Sequence, residues 1–205
     1  LVVEVAKKWT EHYGPEKLIS LFEEFNSFNG LYFFLASFVN FTSNPTVVFK
    51  YIEAGVRVGT QAAKEVERVC RENEVYDPVQ VKDFLLEQKL TLQDPRPLIM
   101  VCDKHGYIEE LINFLYSNNL LQFIEAYVQR KSPKSAPDVL GALIDLNATQ
   151  ESIRKILDGL RAPSDDVDWV LRLSDVFEKR NRLPLLRNWL EARSQEGSSD
   201  PSVYT

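Results

Sequence analysis

Apolar side chains recur along the chain at helical spacing, and no stretch sustains the apolar-polar alternation of a half-buried strand. Ile108, Leu111, Ile112, Leu115 and Tyr116 fall at i, i+3, i+4, i+7 and i+8, which places five apolar groups on one helical stripe. Leu120, Phe123, Ile124, Tyr127 and Val128 repeat that spacing after a short break at Asn118-Asn119, so the two helices are expected to fold back as a hairpin. Similar stripes run through Ala62, Val66, Val69 and Cys70, through Ile153, Ile156, Leu157 and Leu160, and through Leu186, Trp189, Leu190 and Arg193. Helices of about ten to fifteen residues are marginal alone in water, so their stability has to come from packing these stripes together. The pattern predicts an all-α fold.

Prolines at Pro15, Pro45, Pro78, Pro95, Pro97, Pro133, Pro137 and Pro163 punctuate the pattern, and several successive gaps are close to about thirty residues, the scale of a helical-hairpin repeat. Asn44-Pro45 and Asp77-Pro78 each offer a capping side chain followed by a residue suited to the first helical position. Gly14, Gly59, Gly106 and Gly159 are expected at or near helix ends. A degenerate internal match pairs CDKHGYIEELINFLYSN, from Cys102, with FEKRNRLPLLRNWLEAR, from Phe177. Low identity with a shared Leu-x-Asn-aromatic-Leu centre is what units need when each presents apolar faces only to its neighbours. About six hairpins are expected.

Aromatic residues are densest from Phe22 to Phe41, where the apolar surface extends around most of a helix. Such a helix is expected to be covered on nearly all sides by adjacent hairpins, with an exposed groove for a partner peptide as the alternative. The apolar stretch from Leu31 to Val39 is too short to cross a hydrocarbon core of about 30 Å. The hydrophobic content of 44% can fill a core, and the formal charge of -6 with interspersed signs lacks the positive field that concentrates nucleic acid. The chain carries one methionine, Met100, and starts at Leu1, so it reads as a piece excised from a longer protein.

Candidate chemistry is sparse. Cys70 and Cys102 sit among helical apolar residues with no CxxC spacing, and are expected to be buried thiols in a reducing compartment. Asn40-Phe41-Thr42 and Asn147-Ala148-Thr149 match the glycosylation sequon, but they read as coincidences of composition and are not expected to be modified. Cys102 and His105 lie three apart and could pair as thiol and base, yet no third group orients the imidazole. His12 has no ligand neighbours at metal spacing. Asp165, Asp166 and Asp168 lack the alternating ligands and glycine turn of a calcium loop and suit a helix N-terminus better. Lys179, Arg180, Arg182, Arg187 and Arg193 are interrupted by Glu178 and Glu191 and read as a solvated face, with a lateral contact to an acidic neighbouring chain as the alternative. Leu143-Ile144-Asp145-Leu146 has the look of a short leucine recognition motif but falls inside an amphipathic helix. No catalytic, cofactor-binding or metal-ligating residue is assigned, no cofactor is expected, and an enzyme is not the expected class.

Four stretches carry a resemblance to a known family: LFEEFNSFNGLYFFLASFVNF from Leu21, KEVERVCRENEVYDPVQVKDFL from Lys64, PLIMVCDKHGYIEELINFLYSNNLLQFIEAYVQ from Pro97 and EKRNRLPLLRNWLEAR from Glu178. In order and spacing they resemble the ankle and distal leg of clathrin heavy chain. The resemblance implies an α-α superhelix, a right-handed zigzag solenoid of short hairpins, with residues 1–145 forming one heavy-chain repeat and 146–205 beginning the next. It also implies a structural role in the polyhedral coats of endocytic and Golgi-derived vesicles, with other heavy-chain legs as partners and no membrane insertion. Light chains and adaptors would engage other parts of the parent chain, and the isolated segment is expected to be monomeric. The chain departs from the family by extra residues around Gln61 to Ala63, Gln93 to Arg96 and Ala162 to Asp168, expected to be inter-helix connections. A subunit of a vesicle-tethering complex, acting as a protein-binding array, is the alternative.

Overall fold

The computed structural model describes residues 2–88, 94–161, 163 and 168–195, with the backbone alone at 2, 3, 5–7, 10–12 and 193–195. Among the described residues every regular element is helical. The elements are α1 (Val2–Glu24), α2 (Phe28–Ala36), α3 (Pro45–Val58), α4 (Thr60–Glu72), α5 (Pro78–Glu87) and α6 (Arg96–His105), followed by α7 (Ile108–Ser117), α8 (Leu121–Ala126), α9 (Ala136–Asp145), α10 (Gln150–Asp158), α11 (Trp169–Lys179) and α12 (Leu183–Gln195). They form two compact units, Leu1–Gly106 and Tyr107–Thr205.

Local sequence accounts for the boundaries. Gly14, at φ 74° and ψ 159°, breaks α1 just before Pro15, whose ring cannot continue a ladder through the preceding turn. Asn44 accepts a hydrogen bond from Thr46 N at 3.0 Å ahead of Pro45. Asp77 accepts from Val79 N at 2.9 Å and Gln80 N at 3.3 Å ahead of Pro78. Both caps satisfy helix donors that have no partner within the helix. Four other ends close on asparagine: Asn26, Asn119, Asn147 and Asn181 have φ between 50° and 58°. The next residue in each case donates back five positions, as Ser27 N to Phe22 O, Leu120 N to Leu115 O, Ala148 N to Leu143 O and Arg182 N to Phe177 O. This is the Schellman closure, with asparagine standing where glycine is commonest. In the internal match Gly106, at φ 77°, aligns with Asn181, so the likeness between Cys102 and Phe177 onward is a shared turn.

In the first unit α2 packs against α1 and α3, α3 against α4, and α6 against α4 and α5. Gly55 permits the α3–α4 approach, because a Cβ there would lie 2.3 Å from Val66 Cγ2. Leu31, Tyr32, Phe34, Leu35 and Val39 are buried as expected, but cover is not complete: Phe33 is 58% exposed, Phe25 74% and Phe41 88%. α2 packs chiefly on α1 and α3 in this unit, and Phe33 lies on a side these helices do not cover. Gln61 to Ala63, expected in a connection, lie in the first turn of α4 with Ala62 and Ala63 buried. Gly59, at φ 100°, joins α3 to α4 alone, leaving no loop for extra residues to occupy.

In the second unit α7 and α8 fold back through Asn118-Asn119 as the spacing predicts, and α7 also packs on α9. α9 packs on α11, and α12 on α10 and α11. Leu111, Ile112, Leu115, Leu143, Trp169 and Phe177 have no exposed surface. α8 gives way to a wide π turn over Tyr127–Lys131, then to a 3-10 turn, Pro133–Ser135, that leads into α9. Among the described residues, no helix is long and apolar enough to cross a membrane.

Candidate functional site: polar contacts between successive hairpins

The densest group of polar chemistry lies where α4 ends. Asn73 leaves the helix in extended conformation and its side chain accepts from Val75 N at 2.7 Å, turning the chain toward Tyr76. Lys104, in the last turn of α6, reaches this end and donates to the carbonyls of Cys70, Arg71 and Asn73 at 3.4, 3.1 and 3.0 Å. It also lies 2.9 Å from a carboxylate oxygen of Glu74. A flexible ammonium with three donors suits diverging carbonyls, and its charge complements the negative end of the helix. Tyr76 donates its only hydroxyl proton to Cys70 O at 2.8 Å. The 3.1 Å contact between Tyr76 Oη and His105 Nε2 therefore has the imidazole as donor, which fixes the Nε2–H tautomer.

This arrangement pins a helix end and does not activate a nucleophile. Burial pushes the Cys70 thiol up to about 12, the opposite of what a thiolate nucleophile needs. Burial, and then the nearby charge of Lys104, hold His105 below its usual range. Cys102 has no exposed surface, and Nε2 of His105 is engaged with Tyr76. His105 thus meets Tyr76 through Nε2, a partner that its spacing from Cys102 did not suggest. Spacing within one helix could not reveal the contact of Tyr76 with His105 or those of Lys104 with the end of α4, because they span 29 to 34 residues.

The same reach recurs. Asn44 Nδ2 donates to Glu16 Oε1 at 3.0 Å, and Arg68 donates to Asn40 Oδ1 at 3.3 Å. Thr149 N donates to Tyr116 Oη at 3.2 Å, and Trp169 Nε1 to Pro133 O at 2.9 Å. Arg180 grips Asp145 with Nε–Oδ1 at 2.8 Å and Nη2–Oδ2 at 2.6 Å. These hydrogen bonds span 28 to 36 residues, about one hairpin. Lys50 pairs with Glu23, and Lys155 with Glu125 at 2.7 Å, in the same sense. Each ties residues about one hairpin apart within a single unit. Exposed ion pairs contribute only about 0–1 kcal/mol singly, so their value lies in fixing register between apolar faces.

The remaining sequence candidates take definite places. Arg180 does not lie on a free solvated face: it bridges α11 to α9, over Gly141, where a Cβ would sit 3.2 Å from its guanidinium. Arg187 pairs with Glu191 at 2.7 Å along α12. Asp168 occupies the N-cap position of α11 but makes no side-chain cap bond; Asp165, Asp166 and the side chains of His12 and Arg193 lie outside the described residues. No group of three metal-ligating side chains gathers among the described residues. Leu143 and Ile144 point into the core, so the short leucine motif is not available to a partner.

Comparison with known proteins gives the family. The family model described as a region in clathrin and VPS matches residues 7–151. The chain is 44% identical over 204 residues to clathrin heavy chain 2 of Homo sapiens, and 43% identical over 204 residues to probable clathrin heavy chain 1 of Caenorhabditis elegans. It is 43% identical over 206 residues to the clathrin heavy chain of Dictyostelium discoideum. Each match takes in 100% of this chain and 12% of the relative, so the chain spans about one eighth of the length of these heavy chains. A family match over most of the chain, on an all-α array of hairpins tied together one repeat apart, places it in the clathrin heavy-chain repeat family.

Proposed function

We propose that this chain is a structural segment of a vesicle coat, supplying length, stiffness and lateral surface to a polyhedral lattice built with other clathrin heavy chains. The observation that carries the reading is the family match over residues 7–151, continued by identity over the whole chain to clathrin heavy chains of animals and Dictyostelium. The polar contacts between hairpins support it, because a strut needs fixed register more than a concave pocket. The segment acts on the cytoplasmic side of coated pits and coated vesicles, at the plasma membrane, trans-Golgi network and endosomes. It serves endocytosis and intracellular protein transport without a catalytic, cofactor-binding or metal-ligating residue. Residues 1–145 form one repeat and 146–205 open the next. Light chains and adaptors bind elsewhere in the parent protein. The named relatives favour this coat over the tethering-complex alternative.

The test is to follow the parent protein with an antibody raised to this segment. Sedimentation as a large multi-chain assembly enriched in purified coated vesicles supports the reading. Recovery with a soluble tethering complex refutes it while leaving the fold in place.

A further inference from the structure

The connection between α8 and α9 carries the sequence Arg130-Lys131-Ser132-Pro133-Lys134-Ser135, and Ser132-Pro133 is the only Ser-Pro or Thr-Pro pair in the chain. Here the α-helical ladder is interrupted twice, by the π turn Tyr127–Lys131 and the 3-10 turn Pro133–Ser135. Between the two turns Ser132 stands outside helical geometry, at φ -137° and ψ 67°. The residue before a proline is biased to extended backbone, and interrupted hydrogen bonding lowers the free energy of local opening. Ser132 is half-buried, and its hydroxyl meets Ser135 Oγ at 2.8 Å, a contact between neutral groups. Arg130, Lys131 and Lys134 around it are exposed. The carbonyl of Pro133 accepts the indole N–H of Trp169, which ties this connection to the start of α11.

We propose that Ser132 is a phosphorylation site for a proline-directed serine kinase, and that its phosphate tightens the α8–α9 connection. The kinase transfers the γ-phosphoryl of ATP: the Oγ–P bond forms as the bond to the ADP oxygen breaks, and the hydroxyl proton passes to the kinase's base. Phosphoserine carries nearly two negative charges and three acceptor oxygens at neutral pH, and it lies just ahead of the first turn leading into α9. Arg130, Lys131 and Lys134 are within a few residues to neutralise it. Loss of the bond to Ser135 Oγ is offset by charge-assisted ones.

The experiment treats the folded full chain with a purified proline-directed kinase, magnesium and ATP, then maps phosphate by tandem mass spectrometry and compares thermal midpoints. One phosphoryl group on Ser132 is expected, lost in Ser132→Ala and in Pro133→Ala but retained in Ser135→Ala. Circular dichroism of each variant separates a lost site from a lost fold. The phosphorylated chain should melt about 2–4 °C higher at low ionic strength, with the gain fading in high salt. Phosphate on another residue, incorporation only after heat unfolding, or a midpoint that falls overturns the proposal.

Discussion

Replacing Lys104 by methionine keeps most of the aliphatic stem and removes the ammonium that three carbonyls and Glu74 share. The side chain is 18% exposed, so its hydrogen bonds are largely shielded from water. Hydrogen bonds to a charged group are each worth about 1.5–3 kcal/mol, and a cation at a helix C-terminus adds about 0.3–1 kcal/mol. The carbonyls of Cys70, Arg71 and Asn73 share one ammonium, and some regain water on its removal, so the expected loss is about 2 kcal/mol rather than the sum. Glu74 is 77% exposed and its ion pair is screened by water, so Glu74→Gln serves as the control. With an m-value of about 2 kcal/mol/M, urea unfolding of Lys104→Met should show a midpoint lower by about 1 M. Amide exchange should quicken at Asn73, whose N–H bonds Val69 O at 2.9 Å, ahead of the α3 amides. Tyr76→Phe, which removes the other donor to Cys70 O, should couple with Lys104→Met in a double-mutant cycle. A Lys104→Met chain within about 0.5 kcal/mol of the parent, with unchanged exchange at Asn73, would refute the clamp.

Gly55→Ala should cost about 1–3 kcal/mol by forcing a Cβ against Val66 Cγ2, and Val66→Ala in the same chain should recover part of that loss in urea unfolding. Asn181→Ala should destabilise by about 1 kcal/mol, whereas Asn181→Gly should be neutral or stabilising, because only the former pays for left-handed backbone; thermal midpoints distinguish them. His105 is held below its usual 6.5, so the unfolded chain binds its proton first as pH falls. Its contribution is therefore complete above 6.5 and is lost as the pH falls through the folded value; His105→Gln should flatten that part of the stability profile. Cys70 and Cys102 should resist iodoacetamide in the native chain at mildly alkaline pH and both react in urea, as read by mass spectrometry.

Periodicity and local capping were the legible levels of this sequence. The stripes at Val66, Val69 and Cys70 and at Ile153, Ile156 and Leu157 are buried, and Asn44 and Asp77 cap the helices that their prolines announce. These signals are local, each resting on residues within two turns of one another. The break at Asn118-Asn119 was legible, but the left-handed closure at Asn26, Asn119, Asn147 and Asn181 was not, since it depends on a backbone angle that asparagine tolerates without requiring it. Gln61 to Ala63 lie in a helix rather than a connection, since a family departure says where lengths differ and not whether a helix absorbs them. Phe33 shows the limit of composition: an apolar residue on an apolar helix is covered only if a neighbour stands on that side. Lys104 and Tyr76 were invisible for another reason, as a bond spanning one hairpin leaves no mark in either helix's own pattern.

That span has a bearing on how such a chain is made. When the polar ties run 28 to 36 residues back, the loop each one closes is the same whether the protein has two hairpins or many times that number. Contact order then falls as the chain lengthens, because mean separation stays fixed while the denominator grows. A nascent polypeptide leaving the ribosome needs only its latest hairpin and the one before it to complete a clamp such as Arg180 on Asp145. A very long protein can therefore be folded at the pace of its synthesis, with no more than about one repeat of apolar surface awaiting its partner at any time.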